Sequence, residues 1–470
     1  MIVVRVFLWL IRVLRAYLLA SLVTLFPAPA VTSTPTSWSA SPDFDIDPST
    51  GYIPSSPLIC LPTPFDAWED LLEQAQSFLH LGDGVDAELI GGGREGDLWR
   101  SRVQGLPVLD PSKLLDLRQL QRAHMVLAFL VHFYAHSTPV AKRTGPVIIP
   151  RSLSIPLVIV SGKMGIAPIL TFADTVLWNC ERTDVSVPLS LHNVRPRVTF
   201  SGTDDERAFY MASARTELLC ARILHIIQEY NKLDHTPSID TITQCAGYLA
   251  QLETITEELT EYLAHIRDEV DPHVFYATIR PWFVGSDPKS GLEHSWVYEG
   301  VPSDGLELDG PSTGQSTALQ SLDVFLGVDQ QMEGSSGLHR GPRSDQGFMQ
   351  RMRKYMPRSH RDFLEELATG DGRIRDLVKR TPALHDRYNS LVKALTRLRD
   401  MHMRIATLYV VTMERSHRHT GARCPFSNMS SRVNSEDTGK TSVRGTGGNE
   451  LSALLKAARD ATKRTMINSI

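Results

Sequence analysis

Among the 16 histidines of this 470-residue chain, His402 stands out by its position. Leu391, Leu395, Leu398, His402, Ile405 and Tyr409 follow one another at steps of 4, 3, 4, 3 and 4, the spacing of one face of an α-helix. An imidazole on such a face is costly to bury unless both ring nitrogens are satisfied. Two readings meet that demand. One is a core histidine hydrogen-bonded at both nitrogens. The other is a metal ligand at a helix-lined pocket, where a single protein histidine is enough if a porphyrin supplies the equatorial ligands. Zinc or non-haem iron would need further side chains on near faces. His132 and His136 have i,i+4 spacing but lack the glutamate of HExxH, and His417 and His419 fall in a polar stretch expected to be exposed. Neither pair makes a convincing multi-histidine site.

The elements that must position His402 are helical. The spacing predicts long amphipathic helices over 204–231, 242–269 and 384–413, with Asp204, Asp205 and Glu206 suiting a helix start. It predicts further helices over 64–80, 113–136, 318–328, 347–355, 360–369 and 450–466, and a buried helix over 163–179 after a turn at Gly162 and Gly165. Pro281 strains any continuous helix through FYATIRPWFVG. Residues 285–317 and 332–346 read as irregular, and 414–442 as a mobile loop. Period-two alternation is scarce, so the expected fold class is all-α. No P-loop, Rossmann glycine motif, HExxH or GxSxG stands out.

Composition narrows the partners. With 42% hydrophobic and 22% charged residues the chain is globular, neither largely disordered nor a polytopic membrane protein. Lys plus Arg is 49 and Asp plus Glu is 53, a net charge of −4 that gives no basic excess for nucleic acid. Five scattered cysteines without CxxC argue against a disulfide framework or thiolate zinc site and mildly for a reducing compartment. Residues 1–42 carry no acid, and Arg5, Arg12 and Arg15 interrupt their apolar run. That segment reads as a secretory signal, a mitochondrial presequence, a membrane-associated helix over 1–26 or a poorly ordered extension. A cytoplasmic location is expected, with a mitochondrial or membrane-associated one as the alternative.

Several longer stretches then converge. APILTFADTVLWN (167–179), AFYMASARTE (208–217), DPHVFYATIRPWF (271–283), STGQS (312–316), LDVFLGV (322–328), MRKYMPRSHRDFL (352–364), LVKALTRLRDMH (391–402) and RGTGG (444–448) occur in an order and spacing that resemble the indoleamine 2,3-dioxygenase family, with a fungal-like flavour in the inserts. The resemblance runs across roughly residues 55–467 and selects the ligand reading of His402. It implies an all-α haem protein with a small helical domain over 51–190 and a large haem-binding catalytic domain over 191–470, the latter including a mobile loop at 414–449. Residues 1–50 would be an extension.

The resemblance also implies roles. One b-type haem per chain would take His402 as its iron ligand. Asp323 would pair with the His402 ring directly or through a network, and Arg399 would neutralise a haem propionate. An internal Arg399–Asp323 salt bridge is the plainer reading, and the two can coexist. Ser312, Thr313 and Gly314 would pass over one haem edge. Phe172, Thr175, Val176, Phe209, Ser213, Phe275 and Tyr276 would surround an indole ring. Arg280 would take the substrate carboxylate as a bidentate pair. Thr446, between mobile glycines, would close over the substrate ammonium or a propionate. Ser213 is a hydrogen-bond contributor, because a neutral hydroxyl is a poor base at pH 7.

The implied reaction inserts O2, the co-substrate, across the indole C2–C3 bond of L-tryptophan to give N-formyl-L-kynurenine, the first step of tryptophan catabolism by the kynurenine route. A monomer is expected, with L-tryptophan or a related indoleamine as its partner. Thr175 stands where animal members have Cys, Tyr276 replaces a second Phe, and Thr313 replaces Ala. These departures bear on affinity and on the preference for L over D substrates. The alternatives are a low-activity haem sensor or signalling relative and a dioxygenase for another indoleamine.

Overall fold

The computed structural model describes residues 42–81, 92–138, 143–287, 292–302, 306, 308–328, 347–370, 372–420 and 451–468. Its principal helices in chain order are α1 (Asp66–Phe78), α2 (Gly92–Gly105), α3 (Leu117–His136), α4 (Arg151–Met164), α5 (Asp204–Asn231), α6 (Ile239–Ala264), α7 (Thr317–Leu326), α8 (Arg358–Thr369), α9 (Ile374–Arg380), α10 (His385–Ala406), α11 (Met413–Thr420) and α12 (Leu451–Arg464). The all-α class is correct. The strands described are short: β1 (Val147–Ile149), β2 (Cys180–Glu181), β3 (Arg195–Pro196) and β4 (Trp296–Tyr298). β1 pairs in parallel with β4, and β2 antiparallel with β3. Glu299, just past β4, accepts from the Arg151 N–H and pins the 285–317 stretch to the start of α4.

Local chemistry sets the helix starts. Asp116, Thr203, Ser238 and Ser316 each accept from a backbone N–H in the first turn of α3, α5, α6 and α7, which satisfies donors a helix cannot pair itself. α3 is buried along nearly its whole length and forms the centre of one half of the molecule. α10 packs against α6 and α12, and α5 against α6 and α7. One contiguous apolar core runs from Ile46 to Ala461. Among the described residues no helix is long and apolar enough to cross a membrane. Residues 1–41, with the arginine-interrupted segment, lie outside the described residues, as do 332–346.

Two elements differ from the sequence reading. The helix expected over 163–179 ends at Met164, because Gly165 takes a left-handed conformation (φ 64°) as its C-cap. The apolar residues beyond it form a π-type turn, Ala173–Leu177. The polypeptide after α10 does not become a loop at Glu414. A π segment, Thr407–Thr412, leads directly into α11. α2 and α9 carry too few apolar positions to announce themselves.

Candidate functional site

On α10, Leu395, Leu398 and Ile405 are buried while His402 keeps partial exposure between them. Its ring makes no hydrogen bond with any described residue. Burial, together with the neighbouring Arg399 charge, lowers its pKa below the ordinary histidine range, so at neutral pH the ring is uncharged and offers a lone pair. Three residues earlier, Arg399 Nη2 donates to both carboxylate oxygens of Asp323 at 2.5 Å. Nη1 donates to the Ala458 carbonyl at 2.7 Å and to the Thr462 hydroxyl. This one guanidinium joins α7, α10 and α12. Asp323 and Arg399 therefore pair with each other, as the internal salt-bridge reading expects. Ala458 and Thr462 gave no signal in sequence, since nothing in their types marks them.

The STGQS stretch folds as a capped turn. Ser312 Oγ accepts from the Gly314 N–H, and Thr313 is exposed. A side chain at position 314 would approach Phe348 Cε1 to 2.7 Å, so the close packing there requires glycine. Gln315 is buried: its Oε1 accepts from the Phe172 N–H at 2.8 Å and its Nε2 donates to the Gly310 carbonyl. Ser316 caps α7 and donates to Glu217 Oε1 at 2.5 Å. Glu217 lies one turn beyond Ser213 on α5, and burial pushes its carboxyl up to about 7. Nothing in the sequence separated Glu217 from an ordinary helix-surface acid.

Phe172, Thr175 and Val176 are all buried on and beside the π-type turn 173–177. Thr175 Oγ1 points back at the backbone carbonyls of Thr171 (3.2 Å) and Phe172 (3.4 Å). The turn is anchored by Asp174, fully buried, which accepts from His124 Nδ1–H at 2.7 Å and from the Thr171 N–H and hydroxyl. His124 Nε2 lies 3.2 Å from the Ala167 carbonyl. That pair was missed because its members are 50 residues apart and each reads as an ordinary helix residue.

Phe209 and Ser213 sit half-buried on α5. Ser213 Oγ donates to the Phe209 carbonyl at 3.3 Å. The Phe209 ring packs on Phe275 at 4.9 Å, and Phe275 meets the edge of Tyr409 at 5.5 Å. This aromatic chain links α5 to the π segment Phe275–Ile279 and to the one after α10. Next along, the Arg280 guanidinium lies over the Tyr276 ring, 5.5 Å from its centroid. The Tyr276 hydroxyl donates to Glu414, which is buried at the start of α11. Thus the structure brings Phe209 and Phe275 together, sets Arg280 over Tyr276, and ties Phe172 to the STGQS turn.

Residues 40–465 match the indoleamine 2,3-dioxygenase family. The chain belongs to the indoleamine 2,3-dioxygenase family. It is similar to indoleamine 2,3-dioxygenase 2 of Mus musculus, 29% identical over 90% of this chain and 95% of the relative. Indoleamine 2,3-dioxygenase of Saccharomyces cerevisiae is 29% identical over 85% and 87%. A protein named myoglobin from Haliotis madaka is 28% identical over 78% and 86%. The protein is an enzyme of the indoleamine 2,3-dioxygenase class.

Other sequence candidates fall into place around this enzyme's site. His132 Nδ1 and His136 Nε2 donate to the carbonyls of Trp282 and Val284. Burial holds the His132 pKa down at about 4 and the His136 pKa well below normal. They are neutral structural histidines that fix the chain just after Arg280. Thr446 lies outside the described residues, as do the side chains of His417 and His419.

Proposed function

We propose that the protein is a haem-dependent dioxygenase that inserts both atoms of O2 across the indole C2–C3 bond of L-tryptophan, giving N-formyl-L-kynurenine for the kynurenine route of tryptophan catabolism. The observation that carries this reading is His402: a neutral imidazole on a core face, with no hydrogen-bond partner among the described residues. Such a donor fits a b-type haem, which needs one protein ligand. The haem, when bound, supplies the oxygen chemistry. A relative named myoglobin is compatible with that donor set.

The chain's own residues bind, orient and exclude water. His402 would hold the haem iron, and the Arg399–Asp323 pair fixes α10 so that the imidazole keeps its direction. Ser312, Thr313 and Gly314 would pass over one haem edge, with Gly314 packed closely on Phe348. Phe172, Thr175, Val176, Phe209 and Phe275 hold the indole, and Tyr276 stands under Arg280. Arg280 pairs with the substrate carboxylate. Ser213 directs its proton to the Phe209 carbonyl, so it contributes polarity and takes no proton from substrate.

The test uses the full chain loaded with haem, reduced without oxygen, mixed with L-tryptophan and then exposed to labelled dioxygen. Product carrying two labelled oxygen atoms is expected. Reversible oxygen binding without product, or product carrying one label, would overturn the reading.

A further inference from the structure

Glu414 was expected at the edge of a loop, and it is instead buried against the substrate-side array. Its carboxylate accepts from the Tyr276 hydroxyl, and the other side of that phenol, its ring face, carries the Arg280 guanidinium at 5.5 Å. The three groups stand on three different elements: α11, the π segment 275–279 and the short 3-10 turn Arg280–Phe283. Tyr276 and Met413 also pack together apart from the main core. The residue beside Glu414 therefore holds the ring from its apolar side while Glu414 holds the hydroxyl.

Two physical effects follow. A fixed hydrogen bond at the hydroxyl, with packing at Met413, removes the ring's freedom to turn, so the face under Arg280 is preset. A phenol that donates to a carboxylate also gains electron density in its ring, which deepens the negative face a guanidinium seeks. Neither effect exists for a phenylalanine at 276 or an uncharged residue at 414.

We infer that Glu414 is a positioning residue for recognition of the substrate's carboxylate, acting through Tyr276 to set the direction of Arg280. This rests on the proposed role of Arg280 toward an amino-acid substrate and deepens it. Through Tyr276, Glu414 links the arginine to α11.

The experiment measures equilibrium binding of L-tryptophan and of tryptamine, which lacks the carboxylate, to the haem-loaded full chain and to Glu414→Gln and Tyr276→Phe. Both substitutions keep side-chain volume. Each is expected to weaken tryptophan about fivefold, a typical loss for a partly desolvated cation–π contact, and tryptamine by less than about twofold. The double variant is expected to be no worse than either single one, because both cut the same link. A crystal structure of Glu414→Gln should show Arg280 displaced from the ring. Full retention of wild-type discrimination in both variants, or equal losses for both ligands, would overturn the inference while leaving the role of Arg280 intact. Wild-type protein that binds the two ligands equally would contradict the carboxylate role of Arg280 itself, and the inference with it.

Discussion

Two arginines of this protein sit in opposite kinds of environment. Arg399 is clasped by both oxygens of Asp323, a carbonyl and a hydroxyl, with its side chain 16% and that of Asp323 4% exposed. Arg280 is half-buried and lies on the face of an aromatic ring. The first arrangement matches charge with charge and leaves the cation committed to the fold. The second orients the cation from below without neutralising it through that contact. The difference separates a guanidinium that ties three helices together through a carboxylate from one laid on an aromatic ring. Glu217 and Ser316 connect the two regions, because α5 carries Phe209 and Ser213 while Ser316 caps the helix that carries Asp323.

The largest effect is expected on the Arg399 side. Asp323→Ala leaves a buried cation without its carboxylate, which costs about 3–5 kcal/mol. The urea midpoint should fall accordingly, and a change under about 1 kcal/mol would remove the distinction between the two arginines. Arg280→Ala should do the reverse. Stability should change by less than about 1 kcal/mol, while kcat/KM for L-tryptophan drops at least roughly tenfold, about 1.4 kcal/mol. The haem absorption should stay as in wild type. An equal penalty on tryptamine would assign Arg280 a structural role like that of Arg399.

The connection between the regions can be read by pH. The Glu217 carboxyl is raised to about 7 in the folded protein from an ordinary value near 4.5. The folded state therefore holds this proton more tightly than the unfolded one. Its stabilising contribution is complete below about 4.5 and is lost as pH rises through 7. Glu217→Gln keeps an acceptor for Ser316 and cannot ionise. Relative to wild type, its stability should improve by roughly 3 kcal/mol between pH 4.5 and 8. Denaturation curves at both pH values check this, and parallel pH profiles would contradict it. The smallest effect is expected for Ser213→Ala. Its hydroxyl serves the Phe209 carbonyl in its own helix, so turnover should stay within about twofold of wild type. A hundredfold loss would make Ser213 part of the proton chemistry.

Legibility in the sequence followed the range of the interaction. The stripe from Leu391 to Tyr409 is local and periodic, so α10 and the place of His402 on its apolar face could be read directly. The limits of α5 could also be read, because Thr203 and the acids after it are a local start signal. Pairings across the chain could not. Arg399 finds Ala458 and Thr462 about 60 positions away, and Glu217 finds Ser316 at a separation of 99. Glu414 was hidden for another reason. The π segment 407–412 inserts an offset into the helical phase, so a 3.6-residue extrapolation from Tyr409 does not carry Glu414 inward. The site residues themselves were named through family motifs. Composition and periodicity alone left His402 undecided between core and ligand.

Replacement of His402 tests the whole arrangement most directly. In His402→Ala the iron should lose its histidine signature, seen as loss of the iron–imidazole stretch in resonance Raman spectra of the ferrous protein. Turnover of L-tryptophan should collapse even where haem is retained by apolar burial, and added imidazole should restore part of the spectrum. A variant with the wild-type iron–imidazole band and near-normal turnover would show that the ligand lies elsewhere and that His402 is a core histidine after all.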